Sequence, residues 1–152
     1  HLVNKCQDLP GWELFKYLDD KGIKHTIDST MVNSYIYSLC EQHFTAKDFR
    51  TWAASIVFLE TLHDFGLEAN GKQRDKNILL GFDAAAKAVG NTRNVCRKYY
   101  VHPIIIESYN DSSIAEAFKI MDSEKKSEPY FSKTENALNH LLEKFRPDFE
   151  TP

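Results

Sequence analysis

Cysteine is scarce in this chain: Cys6, Cys40 and Cys96 are the only three in 152 residues. They are odd in number and widely spaced, and no Cys-x-x-Cys pair occurs. That pattern supports neither a disulfide framework nor a zinc site, and a reduced intracellular compartment is its natural reading. Glycine (6) and proline (5) are also few, and there is no low-complexity tract and no internal repeat. No apolar run approaches the ~20 residues of a membrane-spanning helix; Ile104-Ile105-Ile106 is core-sized. The first residues, His1-Leu2-Val3-Asn4-Lys5, are mixed in character, so no signal peptide is expected, and they lack an initiator Met. Their make-up leads us to expect a chain that starts inside a longer protein. The P-loop, Gly-x-Ser-x-Gly, His-Glu-x-x-His and EF-hand patterns are all missing. The six histidines (His1, His25, His43, His63, His102 and His140) show no ligand spacing, so no metal and no cofactor is expected.

What is present is ordinary for a soluble globular protein: 42% hydrophobic and 27% charged residues. The length fits one domain with a real core. A net charge of −3 argues, taken alone, against a nucleic-acid partner. The distribution matters more than the sum. Residues 111–152 hold nine acidic and six basic side chains, so the first 110 balance at zero. Between Lys87 and His102 lie Lys87, Arg93, Arg97 and Lys98 and no carboxylate. Such a local +4 stretch suits either phosphate or a solvated face.

Periodicity predicts a mainly α fold with at most one small β-hairpin. Leu14–Leu18 and Ile23–Ile27 flank the turn Asp19-Asp20-Lys21-Gly22 and suit that hairpin. Asp28-Ser29-Thr30 opens a helix carrying Val32, Tyr35, Ile36, Leu39 and Cys40 at helical spacing. A longer helix starts at Thr45, read as its N-cap, with Asp48 favourable at the positive end of the dipole. Phe49, Trp52, Ile56 and Leu59 are expected as its buried stripe, and Gly66 closes it. Leu67–Gln73 reads as a loop and Arg74–Val89 as a helix that Gly90-Asn91 ends. Short helices follow over Thr92–Tyr99, Ile104–Tyr109 (Pro103 in its first turn) and Ser112–Met121. Ser123–Pro129 reads as a charged linker. The last helix has Ser132 and Glu135 in capping-box spacing, with Ala137, Leu138, Leu141, Leu142 and Phe145 on its apolar face.

Three segments stand out together: Thr45-Ala46-Lys47-Asp48-Phe49-Arg50-Thr51-Trp52, then Gly90-Asn91-Thr92, then Val95-Cys96-Arg97-Lys98-Tyr99-Tyr100-Val101-His102-Pro103. Upstream stands Gln7-Asp8-Leu9-Pro10-Gly11-Trp12-Glu13-Leu14-Phe15-Lys16-Tyr17. In this order they resemble the catalytic domain of type IB DNA topoisomerases, in the form found in bacteria and related to the small poxviral enzymes. The resemblance runs from about Gln7 to Tyr109. It implies a compact helical catalytic domain of the tyrosine recombinase/topoisomerase IB type. Residues 1–110 would be the core and 111–152 an acidic helical extension packed on the same domain.

The resemblance also implies a chemistry. A tyrosine attacks a phosphodiester of duplex DNA, forms a 3′-phosphotyrosyl link and releases a 5′-hydroxyl. Supercoils relax, and the strand is resealed without ATP or metal. The family's nucleophile precedes Val/Ile-His-Pro, which makes it Tyr100 rather than its neighbour Tyr99. A tyrosine with an ordinary pKa of about 10 needs help from its neighbours. Arg50 occupies the position of a catalytic arginine, whose planar charged fork suits phosphoryl oxygens. Asn91 stands where the family carries His or Asn as a phosphoryl hydrogen-bond donor; by composition alone it is a helix-end Asn. Lys47, Arg97 and Lys98 become DNA contacts. The family's second arginine and its general-acid lysine lie upstream of the Leu-Pro-Gly segment, and only eight residues precede Leu9. The expectation is therefore a monomeric fragment, without relaxing activity of its own, whose partners are duplex DNA and the missing amino-terminal part. It would be cytoplasmic and nucleoid-associated, with no membrane contact. Tyrosine recombinases share the fold but typically place His where Lys47 stands. A non-catalytic helical binding module is the remaining alternative.

Overall fold

A computed structural model describes residues 15–124 and 130–145. The segment around Leu9-Pro10-Gly11, Cys6 and most of the 123–129 linker lie outside the described residues. Two compact units divide the chain, His1–Asp48 and Phe49–Pro152.

In the first unit, β1 (Lys16–Leu18) pairs antiparallel with β2 (Lys24–Thr26), Tyr17 opposite His25. This is the small hairpin read from the sequence. Asp19 builds its turn: the carboxylate accepts from the Lys21 and Ile23 amides at 2.9 and 2.8 Å and meets His25 Nε2 at 3.0 Å. These bonds, the one to His25 foremost, hold Asp19 below the usual carboxylate range. Gly22 supplies the positive φ, +74°, that the turn requires. Helix α1 (Ser29–Cys40) follows, with the Asp28 side chain accepting from Met31 N at 2.9 Å as its N-cap. None of its residues is buried; Val32, Tyr35 and Leu39 are exposed. The apolar spacing therefore identified a helix but not a buried face.

Helix α2 (Ala46–Phe65) begins in the first unit and continues through the second. Thr45 does not cap it in the expected sense. Its N–H and hydroxyl both donate, at 2.8 Å, to the Asp48 carboxylate, whose pKa they lower. The expected stripe is also shifted. Phe49 is 55% exposed and Trp52 and Ile56 are half-buried, whereas Ala54, Ser55, Phe58, Leu59 and Leu62 are buried. The core meets the face centred on Phe58, a residue that adjoins Leu59 but falls outside the 49–52–56–59 row.

The second unit packs α2 with α3 (Gly71–Ala88), α4 (Arg93–Tyr99), α5 (Pro103–Asn110), α6 (Ala115–Asp122) and α7 (Lys133–Lys144). Helix α3 starts a turn earlier than Arg74, because Asn70 is an N-cap and accepts from Lys72 N at 2.9 Å. Phe58 meets Phe82 at 4.7 Å between ring centroids. Around them lie Leu62, Ala85, Cys96, Ile105, Ile114, Phe118, Leu138 and Leu141. Among the described residues, buried side-chain polar groups are satisfied: Asn77 donates to the Tyr109 hydroxyl at 3.0 Å, and Tyr109 donates to the Gly66 carbonyl at 2.8 Å. The capping box of Ser132 and Glu135 is present, and α7 buries Ala137, Leu138 and Leu141.

Candidate active site

Helices end with unpaired carbonyls, and the end of α3 shows how this chain uses them. Gly90 takes φ +62°, the Gly90 N–H points back to the Lys87 carbonyl at 3.4 Å, and the Asn91 N–H reaches the Ala86 carbonyl at 2.9 Å. This is the Schellman pattern of a helix C-terminus. It leaves the Val89 carbonyl available. Arg50, just past the first turn of α2, donates to it through Nη2 at 2.6 Å. The Asn91 amide contacts the same oxygen at 3.5 Å, a long hydrogen bond. Two donors thus converge on one oxygen.

Tyr100 arrives from the other side. Thr92 caps α4, and the helix ends where the Tyr100 and Val101 amides both bond the Cys96 carbonyl at 3.0 Å. Val101 is buried, His102 caps α5 through Nδ1, which accepts from Ile104 N at 3.3 Å, and Pro103 follows at the first helical turn. The tautomer this requires carries its proton on Nε2. Burial pushes His102 below the usual imidazole range, and the Glu107 charge opposes it. The ring also lies edge-on to Phe145, 4.8 Å between centroids. With both sides of the junction anchored, the Tyr100 ring sits under the Arg50 guanidinium, 5.3 Å from carbon to centroid, within cation–π range. Cys96, fully buried beneath, has its thiol pKa raised by burial, with a partial offset from the Arg50 charge.

Arg50, Asn91 and Tyr100, which lie apart in the sequence, are therefore brought to one place. Arg50 is itself exposed, and so is Phe49. The guanidinium reaches the site along the surface, not by following a buried Phe49. Arg97 and Lys98 are exposed on the last turn of α4, where Lys98 Nζ stands 5.1 Å from the Tyr99 ring centroid. Lys47 lies exposed in the first turn of α2, within the first unit. Arg93 differs from the other cations of its stretch. It forms a two-pronged pair with Asp83, Nε to Oδ1 at 2.6 Å and Nη2 to Oδ2 at 2.5 Å.

Sequence reasoning missed Ser55. It is 2% exposed, its hydroxyl donates to the Tyr100 carbonyl at 3.2 Å, and it accepts from the His102 N–H at 3.2 Å. The signal was a lone hydroxyl inside the otherwise apolar run Trp52-Ala53-Ala54-Ser55-Ile56-Val57-Phe58-Leu59. Among the described residues, no group of three or more His, Cys, Asp or Glu is arranged to hold a metal ion, and no helix is long and apolar enough to cross a membrane.

Comparison with known proteins identifies the family. The family model of the eukaryotic DNA topoisomerase I catalytic core matches residues 1–128. DNA topoisomerase 1B of Acanthamoeba polyphaga mimivirus is 29% identical over 117 residues, covering 72% of this chain and 35% of the viral protein. The chain thus spans about a third of the length of that relative. The family match takes in all three site residues and every element from β1 to α6, and the chain belongs to the type IB DNA topoisomerase family.

Proposed function

We propose that this chain is the nucleophile-bearing part of an enzyme that nicks and reseals one strand of duplex DNA and thereby relaxes supercoils. The Tyr100 oxygen attacks phosphorus, the new bond is a 3′-phosphotyrosyl ester, and the bond to the 5′-oxygen breaks. The tyrosine gives up its proton, and the leaving 5′-oxygen takes one. Resealing reverses these steps, so the phosphodiester energy stays in the covalent link and no ATP is required. The observation that carries the reading is the placement of Arg50 over the Tyr100 ring while Arg50 and Asn91 aim at a single oxygen. Donors already converged on one oxygen acceptor suit a non-bridging phosphoryl oxygen, where charge gathers in the transition state. Lys47, Arg97 and Lys98 hold neighbouring phosphates.

The proton for the 5′-oxygen comes from a cation outside this chain, so the chain by itself does not relax DNA. In this reading residues 1–110 form the catalytic core and 111–152 an extension of the same domain. The partners are duplex DNA and the remainder of the enzyme, the enzyme is monomeric, and it works in the cytoplasm on the nucleoid. Lys47, at the position where tyrosine recombinases typically carry His, favours relaxation over rearrangement.

The test replaces the 5′-bridging oxygen at one scissile phosphate by sulfur in a suicide duplex. A thiol has an ordinary pKa of about 8.5 and departs as thiolate without a general acid. The expected result is a covalent protein–DNA band from this chain with the sulfur duplex, but no relaxed plasmid. Tyr100→Phe removes the band and Tyr99→Phe keeps it. An adduct surviving Tyr100→Phe would sink the nucleophile assignment, and plasmid relaxation by the chain alone would sink the missing-acid reading.

A further inference from the structure

Ser55 is buried, and its one hydroxyl uses both of its hydrogen-bonding roles on the backbone around the nucleophile. The Tyr100 carbonyl is a helix-end acceptor with no successor in α4, and the His102 amide precedes the first turn of α5. Ser55 bridges them, one on each side of Val101. It does so from α2, five residues after Arg50, little more than one helical turn away. A single side chain therefore ties the main chain of the nucleophile to the helix that carries the arginine above its ring.

We propose that Ser55 is a positioning residue for the Tyr100 site: its bridge sets the distance between the Tyr100 ring and the Arg50 guanidinium. The bridge itself is structural; its consequence for catalysis rests on the reading of Tyr100 as nucleophile. A misplacement of ~1 Å can cost about a hundredfold in rate, so even a small relaxation of the junction on loss of the bridge would be felt in the chemical step. Ser55 touches neither DNA nor the reacting atoms, so its effect belongs in the chemical step and not in DNA affinity.

The experiment uses the whole chain and the 5′-sulfur suicide duplex, with Ser55→Ala, Ser55→Cys and Ser55→Thr. Ser55→Cys keeps the volume but bonds weakly, whereas Ser55→Thr keeps the hydroxyl. Single-turnover adduct formation at saturating DNA is expected to fall ~10- to 100-fold in the Ala and Cys variants. The Thr variant should recover most of the rate, and DNA affinity should stay within about twofold throughout. In parallel, the ring-current shift that Tyr100 imposes on the Arg50 δ-protons is followed by NMR. It is expected in the wild type and Ser55→Thr and lost in Ser55→Ala, each checked for folding by circular dichroism. Persistence of the shift in a folded Ser55→Ala, or a rate loss that appears wholly as lost DNA affinity, overturns the proposal. Should the wild type show the shift and form no adduct, the functional reading fails while the positioning role is still decided by the NMR arm.

Discussion

The His102 cap depends on its protonation state. Nδ1 accepts the Ile104 N–H only while that nitrogen carries no proton. Burial lowers the folded pKa while the Glu107 carboxylate raises it, burial being the larger effect. Below an unfolded value near 6.5 the unfolded chain binds the proton first. Stability from this residue is therefore complete above about pH 6.5 and declines as pH falls through the interval down to the folded pKa. His102→Asn retains a capping acceptor and removes the titration. Urea midpoints measured from pH 8 to pH 5 should fall more steeply for the wild type than for His102→Asn. Every other side chain is common to the two proteins, so the difference between the curves isolates position 102. Parallel curves would dismiss the argument.

Part of the candidate site is written in the sequence and part is not. Tyr100, Arg50 and Asn91 were legible because short segments spell them out in a fixed order, with Val-His-Pro separating Tyr100 from Tyr99. The convergence of Arg50 and Asn91 on the Val89 carbonyl was not legible, since a main-chain oxygen has no letter of its own. Ser55 was passed over because a serine inside an apolar helix has the bland reading of a side chain bonded to its own preceding turn. What distinguishes it is a partner 45 residues away, Tyr100.

At the scale of elements, caps carried most of the information. Asp28, Thr92, His102 and Ser132 each sit where a helix begins, and each side chain accepts a backbone amide. Asn70-Gly71 misled because the pair is equally good turn chemistry; only the bond to Lys72 N makes it a helix start. Burial was less legible than helicity. In α2 the core lies against Phe58, and this depends on Gly81 of α3. A Cβ built on Gly81 would stand 3.0 Å from the Cδ2 and Cε2 atoms of the Phe58 ring, itself fully buried against Phe82. Helix propensity alone says Gly81→Ala should stabilise by about 1 kcal/mol. The close approach is expected to reverse the sign, because the Phe58 ring it meets is fully buried, and overpacking of this kind typically costs ~1–3 kcal/mol. Thermal or urea unfolding of Gly81→Ala should therefore show net destabilisation. A rise in stability would mean that α2 and α3 can separate more easily than their ring contact implies.

For the whole molecule, the question is how a chain of net charge −3 meets a polyanion. The stretch from Lys87 to His102 carries four cations by count, yet Arg93 is already matched by Asp83, whose carboxyl it holds below the usual range. Each phosphate neutralised by a protein cation contributes about 0.9 to the slope of log affinity against log salt. A cation already neutralised by a carboxylate contributes little to that count. Lys98→Ala should therefore make the slope shallower by about 1, while the double change Arg93→Ala with Asp83→Ala, which removes both charges, leaves it unaltered. The measurement is fluorescence anisotropy of a labelled duplex with this chain over a series of salt concentrations. A slope that shallows equally in both variants would show that Arg93 leaves Asp83 for the DNA. The pair would then be a resting arrangement, and Arg93 would join Lys98 on the binding face.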